Sequence, residues 1–158
     1  MNKFELLQTI LLEMEKSLVI AQSATQRAIE SATDEETVPE HKYDTLALEA
    51  SYLAHGQAMR VEECERELSV MKQMQLPKNA ESVMLGCLVS LLDDDDQAQY
   101  FFIAPCSGGL KIDYQAKRVM LVTLSSPLGK ALKGKLVGDD VVYQVGPKSF
   151  YYQIDTII

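Results

Sequence analysis

Apolar and small residues recur along the first third of the chain at Phe4, Leu7, Leu11, Met14, Leu18, Ala21, Thr25 and Ala28, a 3-4-3-4-3-4-3 spacing. That period is the seam of a two-stranded coiled coil. A second seam, Ala47, Ala50, Ala54, Gln57, Val61, Cys64, Leu68 and Met71, has the same spacing, with its small residues first and its large ones last. The first seam runs from large to small. Antiparallel pairing therefore sets small against small and large against large. Between the seams lies Asp34-Glu35-Glu36-Thr37-Val38-Pro39-Glu40-His41. Pro39 cannot continue a helix that reaches it, and it biases Val38 towards an extended conformation. The pattern predicts a helical hairpin over residues 1–76, with Asp34, Glu35, Glu36 and Glu40 at or near its tip. Helices of about 30–36 residues would run roughly 45–54 Å. A bundle formed by two such hairpins is the plainer structural alternative. Gly56 and Gln57 interrupt the second helical pattern and mark either a bend or a close approach of two backbones. Glu62, Glu63, Arg66 and Glu67 read as a solvated helix face, and His41 and His55 as surface residues.

Beyond a linker at Leu76-Pro77-Lys78-Asn79, the period changes. Val83–Leu92 and Gln99–Ala104 read as two strands about an aspartate turn, Asp93–Asp96. Four aspartates suit a hard cation or a solvated loop that discourages edge pairing; the loop is the simpler reading. Pro105–Gly109 is a turn, Leu110–Asp113 a short piece of strand, and Val119–Thr123 a buried strand. Ser126 as N-cap with Pro127 at the first helical position starts a short helix over Leu128–Leu132 that stops at Gly134. Val141–Val145 and Ser149–Thr156 are further strands, turning at Gly146-Pro147. The expected fold is α+β: a helical hairpin over 1–76, then an antiparallel sheet of about five strands with one short helix over 77–158.

Composition narrows the functional classes. Of 158 residues, 47% are hydrophobic and 24% charged, as in an ordinary globular protein. The net charge of −8 is concentrated in residues 1–76, which carry 7 Lys/Arg against 14 Asp/Glu; residues 77–158 carry 8 against 9. Such a balance argues against broad contact with nucleic-acid phosphates, so DNA binding is not implied. Cys64, Cys87 and Cys106 are odd in number and widely spaced. A disulfide framework or zinc site is not expected, and a reducing cytoplasm is. Cys106 beside glycines is a weak nucleophile signal with no nearby His. No secretory leader and no apolar run of about 18 residues is present, so no membrane role is expected.

The stretch Leu124-Ser125-Ser126-Pro127-Leu128-Gly129-Lys130-Ala131-Leu132-Lys133-Gly134-Lys135, followed by Val137-Gly138-Asp139-Asp140, resembles a segment of the bacterial Gre (GreA/GreB) transcript-cleavage factors. In that family S-P-[LIM]-[GA]-[KR]-A-L-x-G-K precedes V-G-D. The resemblance extends over essentially the whole chain in element order and length, and implies a small domain with an FK506-binding-protein-like (FKBP-like) fold. It further implies a factor that is not itself an enzyme. Its small domain docks at the rim of the secondary channel of RNA polymerase, and its coiled coil reaches towards the RNA 3′ end. Tip acids there help hold a Mg²⁺ in the polymerase active site and orient a water, with no cofactor of the factor's own. Carboxylates suit that role because Mg²⁺ prefers oxygen ligands and lowers the pKa of bound water.

Residue by residue, Glu40 falls on the family's second tip acid and Glu49 on a later Glu, while the first tip acid falls on Thr37. Glu36, Glu35 or Asp34 then stand in for it, so the resemblance implies Glu40 with Glu36 or Asp34 as auxiliary catalytic residues, and Glu40 and Glu36 as metal contacts. Ser126 and Pro127 match the rim contact, with Ser125 where the family often has Asp. Thr37 also motivates a second reading, a factor that enters the channel and regulates or inhibits polymerase without aiding cleavage. A remote third reading is an FKBP-like prolyl isomerase or chaperone. For a pocket it would draw on Tyr100, Phe101, Phe102, Tyr114, Tyr143, Phe150, Tyr151 and Tyr152.

Overall fold

The computed structural model describes residues 1–33 and 45–158, apart from the side chains of Leu46 and Ala47. Two long helices, α1 (Lys3–Thr33) and α2 (Thr45–Lys72), form a helical hairpin. Strands β1 (Leu88–Leu92), β2 (Ala98–Ala104), β3 (Lys111–Tyr114) and β4 (Lys117–Thr123) follow. Then come the short helix α3 (Pro127–Leu132) and strands β5 (Asp140–Val145) and β6 (Lys148–Ile157). The α+β architecture is the expected one. By internal packing the chain divides into two compact units, residues 12–69, and residues 1–11 together with 70–158.

In the unit of residues 12–69 every described seam position is withdrawn from solvent. Met14, Ala21, Ala28 and Leu68 are buried, and Leu18, Thr25, Ala50, Ala54, Gln57, Val61 and Cys64 are half-buried. Glu62, Glu63, Arg66 and His55 are exposed, as expected of a solvated face, whereas Glu67 is half-buried. α2 runs through Gly56 without a break, and a Cβ built there meets nothing within 4 Å. Gly56 therefore does not interrupt the helix, and of the two expectations the close approach of backbones is absent there.

The heptad reading fails at the start of α1. Phe4 is 58% exposed, while Leu6 and Ile10 are fully buried. These first turns belong to the unit that contains the sheet, so a different helix face is covered there. Lys3, although charged, is buried and donates from Nζ to the Pro77 carbonyl, and the Tyr114 hydroxyl donates to Glu5 Oε2 at 2.7 Å.

The sheet has six strands in the order β3-β4-β2-β1-β6-β5. It is mixed: β2 and β4 are parallel, with Tyr100 opposite Val119 and Ala104 opposite Thr123, and the other pairings are antiparallel. The expected pieces Leu110–Asp113 and Val119–Thr123 are the two strands of a β3–β4 hairpin that turns about Gln115 and Ala116, both at positive φ. The first strand starts at Leu88, not Val83. Gly86 sits at φ 84, and a Cβ there would lie 2.8 Å from the Pro77 ring. One sheet face carries Val89, Leu91, Phe101, Ile103, Val122, Val141 and Ile154, which with Leu128 and Leu132 of α3 form the main core. Strand alternation turns Leu88, Phe102, Ile112, Val119 and Leu121 to the other face, where all are buried. The unit therefore buries residues from both sides of its central strands.

Between β1 and β6 the register slips once: Ser90 faces Thr156, but Leu91 faces Ile154. Asp155 is the extra residue, which makes this a β-bulge. Ser90 is buried, donates to Asp155 Oδ2 at 2.8 Å, and lies 2.6 Å from Thr156 Oγ1. Its hydroxyl is thus satisfied within the sheet.

Candidate functional site

Asp34, Glu36 and Glu40, with Glu35 and Thr37, lie outside the described residues. Glu49 is described; it is exposed on α2. Ser125, Ser126 and Pro127 are all described and form one corner where β4 turns into α3.

That corner is built on a single carbonyl. Thr123 O accepts from the Ser126 backbone N–H at 3.0 Å and from the Ser126 hydroxyl at 2.7 Å. Ser126 Oγ in turn accepts from the Gly129 N–H at 3.1 Å. Ser126 has extended backbone angles, φ −71° and ψ 160°, and Pro127 fills the first helical turn. This is the N-cap arrangement that serine and proline favour at a helix start. Ser125 is exposed, its hydroxyl 3.2 Å from Thr123 Oγ1, and Pro127 is exposed beside it. The helix ends where Gly134 adopts φ 75° and donates to the Val83 carbonyl at 2.9 Å.

Gly129 and Thr123 were not singled out from sequence, yet they set the geometry. A Cβ on Gly129 would lie 1.9 Å from the Thr123 carbonyl oxygen, far inside contact distance. Only a residue without a side chain lets α3 lie so close to the end of β4. A signal existed: glycine inside a helix costs about 1 kcal/mol relative to alanine, so a helical glycine two residues after Pro127 calls for a packing reason.

Beside the corner is a cleft of about 320 Å³, lined in part by Thr123, Ser126, Pro127, Leu128, Tyr143 and Val145. Tyr143 stacks on Phe150 with ring centroids 4.9 Å apart and faces Tyr152 at 6.2 Å. Burial, aided by Tyr152, pushes the Tyr143 hydroxyl up to about 12. The other aromatics are dispersed. Phe101 and Phe102 are in the core on opposite sheet faces, Tyr100 lies under Lys117 Nζ at 4.4 Å, and Tyr151 is exposed. Among the described residues Tyr143 is the one aromatic lining the cleft beside α3, which gives the isomerase reading no aromatic-walled pocket there.

In the aspartate loop, Asp93 Oδ1 accepts from the backbone N–H of Gln97 at 2.9 Å and of Asp95 at 3.1 Å. The Gln97 hydrogen bond is the main reason the Asp93 carboxyl titrates below its ordinary value. Asp93 thus acts as a turn-former. Among the described residues no group of three or more His, Cys, Asp or Glu is arranged to hold a metal ion, and no helix is long and apolar enough to cross a membrane.

No family model matches the chain. It is 27% identical over 145 residues to the transcription elongation factor GreA of Rhodospirillum rubrum, covering 92% of this chain and 88% of that one. The GreA of Thermodesulfovibrio yellowstonii is 26% identical over 148 residues, covering 92% and 87%. Among solved structures, the GreA factor homolog 1 (Gfh1) of Thermus thermophilus overlaps with a TM-score of 0.39 at 19% identity, covering 94% of each chain. The Gfh1 of Thermus aquaticus gives 0.40 at 18%, covering 98% of this chain and 92% of that one.

Proposed function

We propose that this chain, a Gre-family protein by the support of its full-length relatives, is a transcription elongation factor that binds RNA polymerase. The observation that carries the reading is the alignment with proteins named GreA along nearly the whole of both chains. The Ser126-Pro127 corner, held by its own hydrogen bonds, supports it. In this reading the 77–158 domain docks at the rim of the polymerase secondary channel through Ser125, Ser126 and Pro127. The hairpin of 1–76 enters the channel, and Glu40 with Glu36 or Asp34 assists cleavage of backtracked RNA. The factor is not itself an enzyme. Its carboxylates would share a Mg²⁺ of the polymerase active site through oxygen, the donor that ion prefers, and the site of action is the cytoplasm.

Thr37 favours a second reading. It occupies the position where the family resemblance calls for the first tip acid, and a hydroxyl cannot carry the charge of a carboxylate. A factor with one acid in register would occupy the channel without promoting cleavage. The two readings separate in one assay on a stalled, backtracked elongation complex across a range of Mg²⁺. Cleavage stimulation predicts faster release of the RNA 3′ fragment with wild type, and loss of that gain with Glu40→Ala or with a triple alanine change at Asp34, Glu35 and Glu36. No acceleration at any Mg²⁺ concentration, alongside competition with an active cleavage factor, selects the non-cleaving reading. Absence of both sinks the two together.

A further inference from the structure

Ser125, Ser126 and Pro127 carry the docking reading as a group, but the structure gives them different work. Both donors of Ser126, its hydroxyl proton and its backbone N–H, are spent inside the chain, and its Oγ already accepts one bond. Its hydroxyl proton goes to Thr123 O at 2.7 Å and its oxygen accepts the Gly129 N–H at 3.1 Å. A hydroxyl has one proton to donate, so Ser126 has none left for a partner in this geometry. Its backbone N–H is also used, on the same Thr123 carbonyl. Pro127, in contrast, is exposed, lacks an N–H, and borders the cleft with Leu128, Tyr143 and Val145. Ser125 is exposed next to it.

We infer that Ser126 is a positioning residue for polymerase docking, and that the surface offered to the partner is the Pro127 ring, the adjoining cleft and Ser125. This inference rests on the proposed function for the identity of the partner. Gly129 completes the device: by letting α3 lie against the Thr123 carbonyl it brings its own N–H to Ser126 Oγ. Thr123 O, Ser126 Oγ and Gly129 N form a short relay that fixes where the proline ring points. The hydroxyl acts on the partner only through that ring. The chemistry that fits is a partner surface with an apolar side chain for the cleft, and no requirement for a group that hydrogen-bonds Ser126.

The test uses the full chain and four proteins: wild type, Ser126→Ala, Ser126→Thr and Pro127→Ala. Two quantities are measured on each, affinity for RNA polymerase and hydrogen exchange at the Gly129 amide. Ser126→Ala removes the cap. Gly129 exchange rises about fivefold, the factor that corresponds to a typical N-cap loss, and affinity falls by up to the same factor as the competent corner loses population. Ser126→Thr keeps a hydroxyl on the β-carbon and restores both. Pro127→Ala weakens binding while Gly129 exchange stays as in wild type. The inference is overturned if Ser126→Ala loses affinity with Gly129 exchange unchanged, since the hydroxyl then meets the partner directly. It is overturned equally if Ser126→Thr keeps Gly129 protected without recovering affinity. A wild-type chain with no affinity for polymerase defeats the functional reading and the docking half of the inference, whereas the exchange comparison between wild type and Ser126→Ala decides the positioning half by itself.

Discussion

Tyr143 shows how one side chain ties the packing of β5 to solution behaviour. Its hydroxyl is held at about 12, against an ordinary 10, first by burial and then by Tyr152. The neutral phenol is therefore favoured more in the folded state than in the unfolded chain. Below pH 10 this contribution is fully present, and it is lost as the pH rises from 10 through 12, because unfolding then releases a proton. Denaturation midpoints measured from pH 9 to 12 should fall in wild type. The fall should be shallower in Tyr143→Phe, which keeps the stacking on Phe150 and has no proton to lose. Asp93 is the opposite case, a carboxyl held down by the Gln97 N–H. Its contribution is present above the ordinary carboxylate range and fades as acid protonates it. Being fully exposed to water, it contributes little.

At the scale of elements, helices and strands are legible from periodicity except where two patterns compete. The 3-4 spacing from Met14 to Ala28 and from Ala50 to Met71 matches the withdrawn positions, because a coiled-coil seam is a local property of each helix. Phe4 fits that spacing but is exposed, while Leu6 and Ile10, outside the seam, are fully buried. What covers the first turns of α1 is the sheet-bearing unit to which they belong, and heptad spacing carries no information about that. The energetic consequence is specific. Ile10→Ala removes a fully buried side chain and should cost about 2–5 kcal/mol, whereas Phe4→Ala should cost well under half as much. Urea unfolding of the two variants checks this ordering, and equal losses would restore the simple heptad reading. The parallel β2–β4 pair was hidden for a similar reason. Both strands are apolar runs of ordinary length, and which strands pair is settled by the crossover through β3, not by either run.

For the whole molecule, the order of elements is legible from patterning, and the motif around Ser126-Pro127 carries the resemblance to the Gre factors. The corner's chemistry was half visible. A serine N-cap and a proline at the helix start can be read directly from the chain. The Thr123 carbonyl and the need for glycine at 129 became apparent only with α3 laid against β4. The carboxylates Asp34, Glu36 and Glu40, on which the proposed cleavage reading rests, are assigned by position in the sequence, and the backtracked-complex assay is their test.

The bulge at Asp155 bears on how the chain tolerates a change in length. Ile154 and Ile157 are three residues apart, an odd separation that in a regular strand sends two side chains to opposite faces. Here both belong to the core side, Ile154 within it and Ile157 packed against it, because Asp155 is the spare residue. Deleting Asp155 should therefore leave the two isoleucines two residues apart and on the same face, in an uninterrupted ladder, with Thr156 still opposite Ser90. Deleting Gln153, two positions earlier, should turn the preceding half of β6 inside out and expose Phe150 and Tyr152. Cooperative thermal unfolding should survive the first deletion and be lost in the second. In this strand, a missing residue at the bulge is a repair and elsewhere a frameshift of the side chains.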